Sequence, residues 1–179
     1  MKYCQRCGSQ LTEQTAIKST CAKPGCGYVA YHNPKAAVGV VLYIDERTIV
    51  LSRRGREPFA GALDIIGGFL DRGETLEDAL KREFTEETGQ TSDTLKDVRY
   101  LTSYHTWYPW MGEDESVTSA GFLARIDDVA ALHASDDVAE LVHYDIATAN
   151  PEDFEEKFGV WRAVEAAIAV LKENSADNR

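Results

Sequence analysis

All four cysteines of this 179-residue chain fall within its first 26 residues, as Cys4-x2-Cys7 and Cys21-x4-Cys26, and none follows. Two short cysteine pairs can each place two thiolates on one side of a tight turn. Two such turns facing one another make the tetrahedral sulfur cage that zinc accepts. Gly8 follows the first pair, and Pro24, Gly25 and Gly27 surround the second, so turn formers stand where the turns are needed. Two disulfides or free thiols are the alternatives. The N-terminus, MKYCQRCGSQ, has no apolar core of a secretory signal, so a reducing cytoplasm is expected, and there metal ligation is favoured over disulfides. The cage is complete without His32, which is read as a surface or structural histidine.

Composition changes after residue 28, and Asn33-Pro34 punctuates the join. A small ribbon over residues 1–33, a larger domain over 34–174 and a disordered tail over 175–179 are therefore expected. Charge narrows the partners: 19 Lys plus Arg against 30 Asp plus Glu give a net charge of −11. Such a surface repels nucleic-acid backbones and anionic membranes at long range, so neither is an expected partner. No apolar run reaches the length of a membrane-spanning helix. Phosphates remain accessible substrates if a bound cation inverts the local field.

In the larger domain, residues 36–44 and 48–52 read as a β-hairpin, and the Gly-rich stretch that follows reads as a loop with a short strand at 63–66. Residues 74–88 carry Leu76, Ala79, Leu80 and Phe84 on one helical stripe, with Gly89 at the C-cap. Residues 98–106 and 117–126 read as strands joined by a loop, WYPWMGEDES. From Pro151 to Glu173, Phe154, Phe158, Trp161, Val164, Ile168 and Leu171 recur three or four apart, which predicts one amphipathic helix.

Chemistry concentrates in the first of these helices. Glu83, Glu86 and Glu87 stand at i, i+3 and i+4, so three carboxylates project from nearly one face and repel each other unless a cation lies among them. Hard oxygen ligands at this density suit Mg²⁺ or Mn²⁺, ions that ordinarily bring substrate phosphates. Arg82 can orient a carboxylate with its fork, and Glu74 suits the positive end of the helix dipole. A solvated acidic helix face is the alternative.

The full spacing is more specific. Gly68, five residues, Glu74, seven residues and Arg82-Glu83-Phe84-Thr85-Glu86-Glu87-Thr88-Gly89 resemble the Nudix box at all its polar and glycine positions. Gln90 departs from the aliphatic residue that ordinarily closes the box. The resemblance implies an α/β fold, an α/β/α sandwich around a mixed β-sheet running from about Ala36 to Leu171, preceded here by the zinc ribbon. It also implies hydrolysis of a nucleoside diphosphate linked to another moiety. In that family the box glutamates hold catalytic Mg²⁺. Carried over, Glu83, Glu86 and Glu87 are metal ligands, with Glu86 also able to orient water, Arg82 positions them, and the Gly67 carbonyl completes the metal shell. Glu113, Asp114, Glu115 and Asp137 are further candidates for the base. The segment from Asp137 through Glu140 to Tyr144 resembles the family's late acid-bearing strand, with His143 where tryptophan is usual.

A four-cysteine ribbon ahead of such a domain resembles the group containing NADH pyrophosphatases. Their downstream aromatic signature is matched by Ser103, Trp107-Tyr108-Pro109 and a displaced Ser116, with extra residues between. The resemblance thus implies ADP-ribose or a similar dinucleotide as substrate, with NADH as the alternative. Trp107 and Tyr108 are candidates to stack on a base, and Arg53, Arg54 and Arg56 to reach phosphates. Family precedent implies a homodimer. A reading of a different class makes the ribbon a docking element and the larger domain a nucleotide-binding module without catalysis.

Overall fold

The computed structural model describes residues 3–156 and 159–177. The chain divides into two units, Met1–Pro34 and Lys35–Arg179. The first is a three-stranded antiparallel sheet of β1 (Leu11–Thr15), β2 (Lys18–Cys21) and β3 (Val29–Tyr31), in that order. Among its described residues only Cys4, Ser19 and Ala30 are buried, too little apolar surface to hold a sheet together without a staple. His32 bonds the Ser19 hydroxyl through Nε2 at 2.7 Å, a structural contact within this unit.

The second unit is a seven-stranded mixed sheet between two helices. Its strands are β4 (Lys35–Tyr43), β5 (Thr48–Arg54), β6 (Leu63–Asp64), β7 (Ile66–Phe69), β8 (Lys96–Trp110), β9 (Glu113–Arg125) and β10 (Val138–Asp145), and its helices are α1 (Leu76–Thr88) and α2 (Trp161–Asp177). The main path runs β10-β5-β4-β9-β8; β7 pairs with the first half of β4 and β6 with the end of β5. Among the described strands only β4 and β9 run parallel, which makes the sheet mixed. Strand alternation divides the core into two layers. Val40, Leu42, Val50 and Phe122 pack with Phe84 and Leu80 of α1, whereas Val41, Ile49, Leu51 and Leu123 pack with Val164, Ile168 and Leu171 of α2. Phe84 is fully buried, and its truncation to alanine is expected to cost about 3–5 kcal/mol. No helix among the described residues is long and apolar enough to cross a membrane.

Four elements differ from the sequence expectation, the first being the stretch read as a loop with one short strand at 63–66, which holds two strands, β6 and β7, the second running on to Phe69. The stretch WYPWMGEDES is not a loop: β8 and β9 continue through it to a hairpin in register from Trp107↔Ser116 to Trp110↔Glu113. Met111 and Gly112 turn the chain with φ of 51° and 83°, the positive-φ pair that a two-residue hairpin requires, and glycine supplies one of them at no steric cost. Helix α1 begins at Leu76, not Glu74, because the Thr75 side chain caps it by accepting from the Asp78 N–H at 3.1 Å. The C-terminal helix begins at Trp161 instead of Pro151. Asn150 caps a single 3₁₀ turn at Pro151–Asp153, Phe154 is extended, and Gly159 takes a φ of 68° before α2 starts. At its other end α2 continues through Asp177, so the expected tail is helical from residue 175 to 177. Phe158 lies outside the described residues.

Candidate active site

The site begins where β7 crosses β4. Gly67 and Gly68 pair with Gly39 and Val38, and the approach is so close that a Cβ on Gly67, at φ 153°, would lie 2.2 Å from the Val38 carbonyl oxygen. A Cβ on Gly68 would lie 2.4 Å from a Glu83 carboxylate oxygen. Both glycines are therefore set by space: one lets the strands meet, and the other lets helix α1 lay a carboxylate against the strand.

Arg82 organises the acids around it. Its Nε and Nη2 take the Glu74 carboxylate in a bidentate fork at 2.8 and 3.0 Å. Its Nη1 donates to Glu83 at 2.8 Å and to Glu86 at 2.9 Å, and Nη2 also donates to the Phe69 carbonyl at 2.9 Å. The Arg82 hydrogen bonds hold Glu74 below the usual carboxylate range, and the Asp71 N–H adds to this. Burial raises Glu83 above its usual range despite Arg82. Glu87 is only 5% exposed and accepts from the Gly67 N–H at 2.9 Å. Burial, followed by a hydrogen bond shared with Asp137, pushes it up to about 10. At neutral pH Glu87 thus retains a proton unless a cation replaces it.

Asp137 reaches Glu87 because the chain before β10 lies along the end of α1. His133 and Ser135 donate backbone N–H groups to the Thr88 and Glu87 carbonyls at 2.9 and 3.0 Å, and the Ser135 hydroxyl bonds the Glu86 carbonyl. These bonds satisfy helix-end carbonyls that would otherwise lack partners. Gln90, which breaks the expected pattern, donates to the Ala131 carbonyl at 2.7 Å and thereby ties down the same segment.

Beside the acids lies a cleft of about 750 Å³, with Phe69, Tyr108 and Trp110 on its walls and Lys35, Arg56 and Glu115 among its charged residues. A smaller hollow of about 140 Å³ reaches Gly67 and Gly68 and shares Arg54, Phe69, Tyr108 and Asp137 with the cleft. Tyr108 stands edge-on to Phe69 at 5.7 Å and is stacked with Trp110 at 6.4 Å. Such a wall accepts a planar ring.

The other residues named from sequence are dispersed. Trp107, one position from Tyr108 on β8, points to the opposite face, against His105, and lines neither cavity. Arg53 is paired with Glu140 at 2.6 Å and also lies off both cavities. Arg54 lines both, but its fork is engaged inside the protein, chiefly by Asp64 at 3.0 Å. Arg56 pairs with Asp136 at the rim. Glu115 pairs with Lys35 at 3.4 Å, Glu113 and Asp114 are exposed towards the hairpin tip, and His143 is exposed on β10. Glu74 as the clamp on Arg82, Asp64 as the partner of Arg54, and Lys35, Phe69 and Trp110 as cleft residues were not singled out by the sequence. Period-two alternation from Tyr108 would have pointed to Trp110.

The donor sets suit two kinds of ion. The four thiols lie within 4.8 Å of one another, with Cys4 and Cys26 sulfurs 3.9 Å apart and those of Cys7 and Cys21 3.5 Å apart. Tetrahedral zinc, with Zn–S bonds of about 2.3 Å, needs sulfurs about 3.8 Å apart. Backbone and side-chain hydrogen bonds from Ser9 lower Cys7 to about 6, while, against the lowering effect of the Lys23 N–H, burial and the neighbouring thiols push Cys21 up to about 12, so the two thiols share their proton unevenly. The cluster is compatible with a zinc ribbon. The carboxylates are not gathered that closely, but they are hard oxygen donors, and the buried Glu87 lies beside the partly exposed Asp137.

A family model for the NUDIX domain matches residues 33–178. Among curated relatives, the NAD-capped RNA hydrolase NudC of Haemophilus influenzae is 31% identical over 126 residues, covering 69% of this chain and 43% of that protein. The ADP-ribose pyrophosphatase of Methanocaldococcus jannaschii is 42% identical over 62 residues, covering 35% of this chain and 36% of that protein. The chain thus spans less than half the length of these relatives. The crystal structure of a NUDIX hydrolase from Nitrosomonas europaea superposes with a TM-score of 0.67 at 21% identity, covering 98% of this chain and 93% of that one, a likeness of fold. With the box residues assembled around Gly67 and Gly68 and the family model spanning the whole second unit from β4 through α2, this chain belongs to the Nudix family.

Proposed function

We propose that the protein is a metal-dependent pyrophosphohydrolase that cleaves the diphosphate of ADP-ribose or a similar dinucleotide. The observation that carries this reading is the meeting of the Arg82-organised glutamates with an aromatic cleft through the hollow at Gly67, Gly68 and Asp137. Glu83, Glu86, Glu87 and the Gly67 carbonyl would hold Mg²⁺ or Mn²⁺. When bound, these ions offset charge developing on the phosphoryl oxygens and lower the pKa of a coordinated water. Arg82 keeps Glu83 and Glu86 in place by hydrogen bonds from one nitrogen, so neither carboxylate must be ordered at the moment of reaction. Attack of water on one phosphorus breaks the P–O bond to the bridging oxygen and yields AMP and ribose 5-phosphate. Glu86, the more exposed box carboxylate, or Asp137, on the cavity wall, would take the proton released.

Tyr108 and Trp110 would hold the base, with Lys35 and Arg56 near the outer phosphate or ribose. Trp107 and Arg53, read from sequence as substrate contacts, have no part in this arrangement. The names of the NudC relatives favour an NAD-type substrate as the second reading. A net charge of −11 supports a small dinucleotide over a long capped RNA. Zinc on Cys4, Cys7, Cys21 and Cys26 would hold the ribbon, and we read the protein as a cytoplasmic homodimer.

The test is mass-spectrometric product analysis with Mg²⁺ and an equimolar mixture of ADP-ribose, NADH, NAD, FAD and diadenosine polyphosphates. Preferential loss of ADP-ribose supports the first reading, and preferential loss of NADH or NAD the second. No loss of any of them contradicts both.

A further inference from the structure

Arg54 was a candidate phosphate ligand, yet its side chain is only 11% exposed and is held from several sides. Nη1 bonds the Asp64 carboxylate at 3.0 Å, and Nε donates to the Pro58 carbonyl at 2.8 Å. With these two contacts fixing the fork, Nη2 faces both the Tyr108 hydroxyl at 3.3 Å and the Asp137 carboxylate at 4.0 Å. The next residue reinforces the arrangement: the Gly55 N–H donates to the Asp137 carbonyl at 2.7 Å. The end of β5 therefore holds Asp137 by its backbone and faces it with a side-chain charge.

Resting on the hydrolase reading above, we propose that Arg54 is a positioning residue that sets two parts of the site at once: the ring of Tyr108 on the cleft wall and the carboxylate of Asp137 beside Glu87. Asp64 is its anchor. The planar fork is required because one nitrogen must stay on Asp64 while the other serves Tyr108 and Asp137; an ammonium has one point of charge and cannot span both. The two roles separate kinetically. Tyr108 acts on binding, so losing its hydroxyl contact weakens retention of the ring in the cleft. Asp137 acts beside the reacting phosphate, so misplacing it slows turnover.

The experiment is a double-mutant cycle on the full chain, with ADP-ribose, NADH and NAD as probes and Mg²⁺ present. Arg54→Lys is expected to lower kcat about tenfold and raise KM several-fold. Tyr108→Phe is expected to raise KM several-fold with kcat within twofold of wild type. In the Arg54→Lys background the further change Tyr108→Phe is expected to leave KM unmoved, a coupling that a loss of folded fraction does not produce. Asp64→Asn, which keeps size and shape, provides a second route should Arg54→Lys fail to fold, and is expected to repeat both effects more weakly. Turnover by wild type with kcat and KM unchanged in Arg54→Lys or Asp64→Asn, or with additive KM effects, overturns this inference alone. Absence of turnover by wild type overturns the hydrolase reading and this inference with it.

Discussion

The thiol cluster and the carboxylate site answer the same need, gathering like-charged ligands, in opposite ways. In the ribbon the four sulfurs already stand at cage distances, and little else is buried there. In the larger unit the glutamates are kept apart, Glu83 and Glu86 on Arg82 and Glu87 on a backbone N–H, while two apolar layers hold the fold independently of them. A closed cage makes its ion part of the structure. An open, protein-clamped set of acids leaves room for substrate, and an ion bound there would belong to the chemistry.

The largest effect should come from breaking the cage. Stripping zinc, or Cys4→Ser, is expected to unfold residues 3–34, because structural zinc contributes roughly 10–16 kcal/mol in comparable small sites. Limited proteolysis should then cut inside the ribbon while a fragment starting near Lys35 survives. Equal loss of both units would show that the comparison is wrong.

Next in size is the carboxylate site. Glu87→Gln should lower kcat on the order of 10³-fold, the scale of losing a preorganised charge, with far-ultraviolet circular dichroism unchanged. Gly68→Ala should act through Glu83, since its new methyl would meet that carboxylate at 2.4 Å. A kcat loss of about tenfold, with the melting temperature lowered by only a few degrees, would separate displacement of a ligand from collapse of the fold; steady-state kinetics and a thermal melt together decide it.

A smaller effect, with a definite sign, concerns pH. In metal-free protein, burial and then Asp137 raise Glu87 from 4.5 to about 10. Between these values the folded state binds more protons than the unfolded one, so stability is fully present below about 4.5 and is lost as pH rises towards 10. Asp64, raised mainly by burial from 3.8 to about 6, adds the same sign over a narrower window. Melting temperatures of protein dialysed free of Mg²⁺ but keeping its zinc should fall from pH 5 to 9, and Glu87→Gln should flatten that slope. Saturating Mg²⁺ should restore most stability at the alkaline end. Parallel slopes for wild type and variant would remove Glu87 from the account.

Much of this was legible wherever one residue type at a fixed spacing dictates geometry. Two cysteine pairs imply a cage, and glutamates at i, i+3 and i+4 must share a helix face. The apolar stripe of α1 and the C-cap at Gly89 follow from local preferences alone. What escaped depends on partners distant in sequence. Arg53 and Arg54 are adjacent in the chain, yet strand alternation sends one to Glu140 and the other inward to Asp64, and nothing local tells which. The same alternation put Trp107 outside and Tyr108 inside. Glu74 looked like a dipole partner because its bond to Arg82 needs the loop before α1 to fold back. The break before Trp161 was hidden because apolar spacing continues through Phe154, although the Asn150 cap and Gly159 interrupt the backbone.

The most direct test of the central claim is to incubate ADP-ribose with wild type and with Glu87→Gln, each with Mg²⁺ and with chelator, and to follow products and melting temperature together. AMP and ribose 5-phosphate should form from wild type with Mg²⁺ alone, and Glu87→Gln should show ligand-induced stabilisation without cleavage. Stabilisation of wild type by ADP-ribose with no product formed would contradict that claim, and would make this Nudix domain a nucleotide-binding module.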